Sequence, residues 1–183
     1  MPIQETQVHL EIFADYHQVC VEDCQAQADE GGDDEERVKR IDARITQLLD
    51  KAAYERHLGV APGVACLLTA RAMTVPVDVE ILAEAPPPDF AGWDRVVEAS
   101  LDVPSGCLVV HGPTDYFPTA PRIALAPGTY RVRAYFGRLG SVSADELEGA
   151  DHYRVVLWPA PQAEPAVLFT KEENALQGRE ISG

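Results

Sequence analysis

Along most of this chain the apolar residues fall at every second position, the period of a strand that buries one face. Val8, Leu10 and Ile12 share a face, and Val19 and Val21 share another after a bend at Ala14-Asp15-Tyr16. Val64 to Ala70 is a nearly unbroken apolar run, as a central strand requires. Val75, Val77, Val79 and Ile81 alternate with Thr74, Pro76, Asp78 and Glu80, and the same alternation runs from Val97 to Val103. Shorter runs follow at Cys107 to Val110 and Ile123 to Leu125. Longer ones follow at Thr129 to Phe136, His152 to Trp158 and Ala166 to Thr170.

One segment has a different period. Val38, Ile41, Ile45, Leu48, Leu49 and Ala52 recur at spacings of three and four, with Arg37, Lys39, Arg40, Arg44 and Lys51 between them. That spacing predicts an amphipathic helix over about 34–58, broken near Ala53, with Gly59 and Pro62 as its stop. A single apolar stripe puts the helix on the outside, lying across a sheet through Ile41, Ile45 and Leu48. Val103-Pro104-Ser105-Gly106, Gly112-Pro113 and Leu125-Ala126-Pro127-Gly128 supply turns between strands. Pro86-Pro87-Pro88 opens a surface loop leading to Trp93. The whole predicts a mostly β chain: a two-layer antiparallel β-sandwich of nine or ten short strands with one amphipathic helix. At 183 residues it holds one core, so residues 1–183 form one domain, with a C-terminal tail fraying from about 171.

Charge adds a direction to this picture. Of a formal net charge of -15, residues 1–36 hold eleven Asp and Glu and no Lys or Arg. The densest stretch, about 22–36, lacks apolar periodicity and reads as a solvated acidic loop. Asp33, Asp34, Glu35 and Glu36 stand just before the helix, where acids complement its dipole and cap free N–H groups. So much negative charge repels phosphate backbones, so nucleic acid is not an expected partner; a basic protein is. The polar, acidic start and the lack of a long apolar run predict a cytoplasmic protein with no membrane contact. On that basis Cys20, Cys24, Cys66 and Cys107 are expected as free thiols.

The search for reactive chemistry yields little. Cys20 and Cys24, with His9 and His17 nearby, make one loose pair rather than the tight paired spacing of a zinc site. Ser105-Gly106-Cys107 with His111 contains the atoms of a hydrolase but lacks the strand-to-helix elbow. Gly31-Gly32 stands among acids that would repel a phosphate. Asp15-Tyr16-His17 and Asp151-His152-Tyr153 are polar clusters in which a histidine at a strand start is more often structural. No catalytic residue, metal ligand or cofactor is expected, and the chain does not read as an enzyme.

Three short motifs, in order, carry a resemblance. Tyr16-His17-Gln18 follows a first short strand, Val75-Pro76-Val77 sits mid-chain, and Pro127-Gly128-Thr129-Tyr130 comes late. Together they resemble the bacterial competence J family, whose founding member inhibits a DNA-entry nuclease, over about residues 7 to 137. The sequence departs from that family in its acidic stretch, long helix and proline loop. The resemblance implies a β-sandwich that binds another protein rather than turning over a substrate. With the charge, it points to a small acidic protein-binding module, an inhibitor of a basic nuclease or toxin. Asp29, Glu30, Asp33, Asp34, Tyr16 and His17 are the candidate contact residues. The alternative is a ligand-binding or housekeeping sandwich whose acidity serves only solvation.

Overall fold

The computed structural model describes residues 5–27 and 33–171. Asp29, Glu30 and the segment beyond Lys171 lie outside them. The described residues form eleven strands and two helices in two stacked sheets, a β-sandwich with one main helix. The six-stranded sheet contains β1 (Thr6–Phe13), β5 (Thr74–Ile81), β10 (His152–Pro159), β9 (Gly128–Gly137), β6 (Arg95–Val103) and β11 (Ala166–Thr170), in that order. The five-stranded sheet orders β3 (Leu58–Ala61), β4 (Val64–Leu68), β2 (Gln18–Asp23), β7 (Cys107–His111) and β8 (Arg122–Ala124). Pairing is antiparallel except between β5 and β10, which run parallel and make the larger sheet mixed.

The period-two residues do what their spacing predicts. Val75, Val77, Val79 and Ile81 of β5, Val97, Ala99, Leu101 and Val103 of β6, and Val132, Ala134 and Phe136 of β9 face inward from the large sheet. Val19, Val21, Ala65, Leu67, Leu108 and Val110 meet them from the small one. Tyr130 ties the corner before β9, its hydroxyl donating to the Ala126 carbonyl at 2.5 Å. The outer face of the large sheet is also covered. Arg131 and Arg133 share Glu98, and Arg133 lies over the Trp158 ring at 4.8 Å. Phe90 and Trp93 from the proline loop close over this face beside Tyr135 and Trp158.

The helix departs from expectation in three ways. Its expected break falls at residues 49–50 rather than at Ala53: α1 (Asp34–Leu48) and α2 (Lys51–Arg56) are divided where the Asp50 side chain accepts the Ala53 N–H and restarts the helix. Residues 58–61, expected as its end, are the strand β3. And the apolar stripe is only partly used: Leu48 is buried, while Val38, Ile41 and Ile45 stay about half exposed. Register explains the exposure of Val38 and Ile41. Arg44 reaches Glu22 of β2, and Leu48, one turn later, packs with Cys20 and Cys66. So α1 runs antiparallel to β2, and its first two and a half turns overhang the end of the sheet. Gly59 permits the close approach at the other end, because a Cβ there would run into the Leu48 carbonyl oxygen.

The acidic stretch and the cysteines are corrected too. Glu22 and Asp23 are not loop residues but the end of β2, each only 2 % exposed. Glu22 is held by Arg44 and His111, and Asp23 accepts both the Ser105 N–H (3.0 Å) and its hydroxyl (2.6 Å). The cysteines are not free thiols. Antiparallel pairing sets Cys20 directly opposite Cys66, and the turn after β2 carries Cys24 to Cys107; both pairs are disulfides. These partners lie 46 and 83 residues apart in sequence, so spacing could not reveal them. No helix among the described residues is long and apolar enough to cross a membrane.

Two measurements check this picture. Leu48→Asp should cost about 3 kcal/mol by burying an unpaired charge, whereas Ile45→Asp should cost under about 1 kcal/mol. Equal drops in Tm would mean that α1 lies down along its whole length. Ellman titration of the unfolded, unreduced chain should find no thiol, and all four cysteines should react after reduction.

Candidate functional site

Of the residues singled out for contact, Tyr16 and His17 lie far from Asp33 and Asp34. Tyr16 and His17 occupy the bend between β1 and β2, and both take positive φ, 52° and 60°. For non-glycine residues that backbone is strained, and two in succession persist only where surrounding bonds hold them. Here Asp15 accepts the Tyr16 N–H at 2.9 Å, and Thr69 donates its N–H to the His17 carbonyl at 2.8 Å. The His17 ring lies 3.2 Å from the Thr69 carbonyl and 3.3 Å from Glu146, itself at φ 60°. Fixed in this way, the bend displays Tyr16 with 70 % of its surface exposed.

Two further loops meet at that bend. Asp151, fully buried, accepts from Arg71 at 2.6 Å and from the Tyr153 hydroxyl at 2.7 Å, and that hydroxyl accepts the Ala70 N–H. Burial, with Asp151 alongside, pushes the Tyr153 hydroxyl well above its ordinary pKa, so it stays a proton donor. The Asp151-His152-Tyr153 cluster is therefore a brace between loops. Periodicity did not flag three further exposed apolar side chains: Phe13, Tyr116 and Leu147, at 42, 72 and 56 % exposure. Phe13 and Tyr116 line a shallow cleft with Glu11 and Asp115. Phe13 does follow Ile12 on the opposite face of β1, and that was its sequence signal; Tyr116 and Leu147 sit in loops and had none.

The acidic end is different in kind. Asp33 caps α1 by accepting the Glu36 N–H at 2.9 Å, and Asp34, fully in solvent, stands 3.4 Å from Arg37. From His17 along β2 to Glu22, and from Arg44 back along α1 to Asp34, the separation is roughly 30 Å. The structure thus does not bring Tyr16 and His17 together with Asp33 and Asp34.

Folds similar to this one are known. ComJ, inhibitor of the DNA degrading activity of NucA, from Bacillus subtilis, superposes with a TM-score of 0.55 at 14 % identity, covering 86 % of this chain and 98 % of its own. Crocagin biosynthetic gene J superposes with a TM-score of 0.50 at 16 % identity, covering 88 % of this chain and all of its own. The likeness to ComJ agrees with the sequence motifs at the level of fold. No protein-family model matches the chain, and no curated protein matches it by sequence.

The catalytic constellation considered from sequence is tied up structurally. Cys107 is in a disulfide, and Ser105 is spent on Asp23. His111 has Nδ1 2.9 Å from the Gly112 carbonyl and Nε2 2.7 Å from Glu22, so both ring nitrogens face acceptors. Glu22 takes Gln27 and Arg44 besides. Burial pulls the His111 pKa down, but the Glu22 and Gly112 bonds and the Glu22 and Asp115 charges outweigh it and raise it. Burial likewise pushes Glu22 up, and His111, Arg44 and Gln27 together bring it below its ordinary value. Among the described residues no three His, Cys, Asp or Glu side chains gather as metal ligands.

The pair has a consequence for stability. A raised histidine stabilises the fold fully below its unfolded pKa of 6.5, and that contribution is lost as pH rises through the folded value. A lowered glutamate stabilises above 4.5 and loses its contribution as pH falls through its folded value. Between pH 4.5 and 6.5 both contributions are present. Urea unfolding across pH 5 to 9 should show stability declining on the alkaline side, and His111→Gln should flatten that decline. An unchanged slope in the variant would place the titrating group elsewhere.

Proposed function

We propose that this protein is a binding module that neutralises a partner with a basic surface, in the manner of a nuclease inhibitor. The observation that carries the reading is a fold shared along nearly the whole length of ComJ, an inhibitor of a DNA-degrading activity, in a chain with a net charge of -15. A nuclease holds phosphates and is basic where it does so, which is the surface an acidic protein recognises. Tyr16 is the anchor of this reading: it is large, exposed and carried on a braced backbone, and its two side-chain torsions leave little freedom to lose on docking. Phe13, Tyr116 and Leu147 extend the apolar contact, and His17 supports the bend. The carboxylates of Asp29, Glu30, Asp33 and Asp34 act at a distance, as a field that speeds encounter. Two disulfides fit an oxidising compartment better than a reducing cytosol, which weighs against the cytoplasmic expectation.

The test separates anchor from field. A pull-down from the native host at low and high salt should retain a protein with a basic surface at low salt. Recovery of acidic proteins alone, or of none, would sink the proposal. With the partner in hand, Tyr16→Ala should raise the dissociation rate by about tenfold or more, the loss expected of an interface anchor. Replacing Asp33 and Asp34 by Asn, which keeps the helix cap, should slow association and flatten its salt dependence. Equal on-rates would leave those acids as solubilising charge.

A further inference from the structure

A second site lies on the flank of the large sheet, away from the acidic end. Phe90, Trp93 and Phe169 wall a cleft of about 600 Å³, with Asp94, Arg138 and Lys171 at its rim. Phe90 and Phe169 stack at 5.1 Å with their planes 9° apart, and Trp93 is steadied against Tyr135 at 5.1 Å and His152 at 4.9 Å. Asp94 is already answered: one carboxylate oxygen accepts the Leu139 N–H at 2.7 Å and the other faces Lys171 at 3.2 Å. Arg138 is not. Its backbone is in the left-handed region at φ 54°, held by Ser141, whose N–H and hydroxyl both donate to the Arg138 carbonyl. Among the described residues its guanidinium has no hydrogen-bond or ion-pair partner, so it is available to an anion.

Two glycines line the same cleft, and at each an added Cβ would meet nothing within 4 Å. Gly92 is required by its φ of 80°. Gly140 has no such backbone requirement and no neighbour to avoid, so its missing side chain leaves the cleft open and serves nothing in the chain's own packing. Aromatic rings, an unanswered guanidinium and two glycines lining one cleft are complementary to one class of ligand.

We propose that this cleft binds a small planar aromatic anion, a ring system bearing a carboxylate, sulfonate or phosphate. The ring stacks on Trp93 and the Phe90–Phe169 pair, and the anion is held by Arg138 with Lys171 beside it. The site is independent of the protein-binding reading above, since it uses neither Tyr16 nor the acidic residues.

The probe is 8-anilinonaphthalene-1-sulfonate, with uncharged N-phenyl-1-naphthylamine as its control. The sulfonate should bind the intact protein and quench its tryptophan emission, and Trp93→Ala, which removes a stacking face, should weaken its binding several-fold. Arg138→Gln should weaken the sulfonate by about tenfold or more, the loss of a charge-assisted bond, and leave the neutral dye unchanged. Gly140→Val should weaken both dyes without lowering Tm, because its side chain enters open space. Equal affinity for the two dyes, or an Arg138→Gln affinity within twofold of the wild type, would overturn the proposal.

Discussion

A carboxylate taken out of water costs several kcal/mol unless charge and hydrogen bonds answer it, and Glu22 is answered from three separate parts of the chain. Arg44 comes from α1, His111 from the end of β7, and Gln27 from the segment leaving β2. The helix touches the small sheet only near its C-terminal end, so the Arg44 bridge fixes its angle as much as the burial of Leu48 does. The segment after β2 is drawn in by the same guanidinium, which also reaches the Ala26 carbonyl at 3.4 Å. Two disulfides then fasten β2 on either side of Glu22, one to β4 and one to the start of β7.

The sandwich was legible because one-sided burial leaves a period that survives in sequence. From β4 to β11 the strands stand where alternation put them, and Tyr130 takes the corner role that its Pro-Gly context suggests. What was not legible depended on partners distant in sequence. Glu22 and Asp23 look like members of an acidic loop because acids usually face water; only the arrival of Arg44, His111 and Ser105 makes their burial affordable. The exposure of Val38 and Ile41 follows from where the sheet ends, which no helical period records. The cysteine pairs are consequences of register and turn, visible only once β2 lies between β4 and β7.

The candidate site was half legible for the same reason. Tyr16-His17-Gln18 marks a bend, and the structure adds that the bend is strained, braced and solvent-facing. Sequence proximity nevertheless misleads here. Residues 17 and 33 are neighbours on paper, yet a strand and an overhanging helix carry them apart. The acidic N-terminal region is therefore divided by function. Part is sacrificed to the fold through Glu22 and Asp23, and part caps a helix through Asp33.

The order of strands has a consequence for how the chain is made. In the large sheet β10 lies between β5 and β9, so β1 and β5 join the rest only through a strand that begins at His152. As the polypeptide leaves the ribosome, the β1–β5 hairpin-like pair and the β6–β9 pair can each form early, but they remain separate half-sheets with open edges. At roughly 5–20 residues per second, that interval lasts several seconds after β5 has emerged. The acidic N-terminal region of the nascent chain, with eleven Asp and Glu in residues 1–36, emerges ahead of those edges.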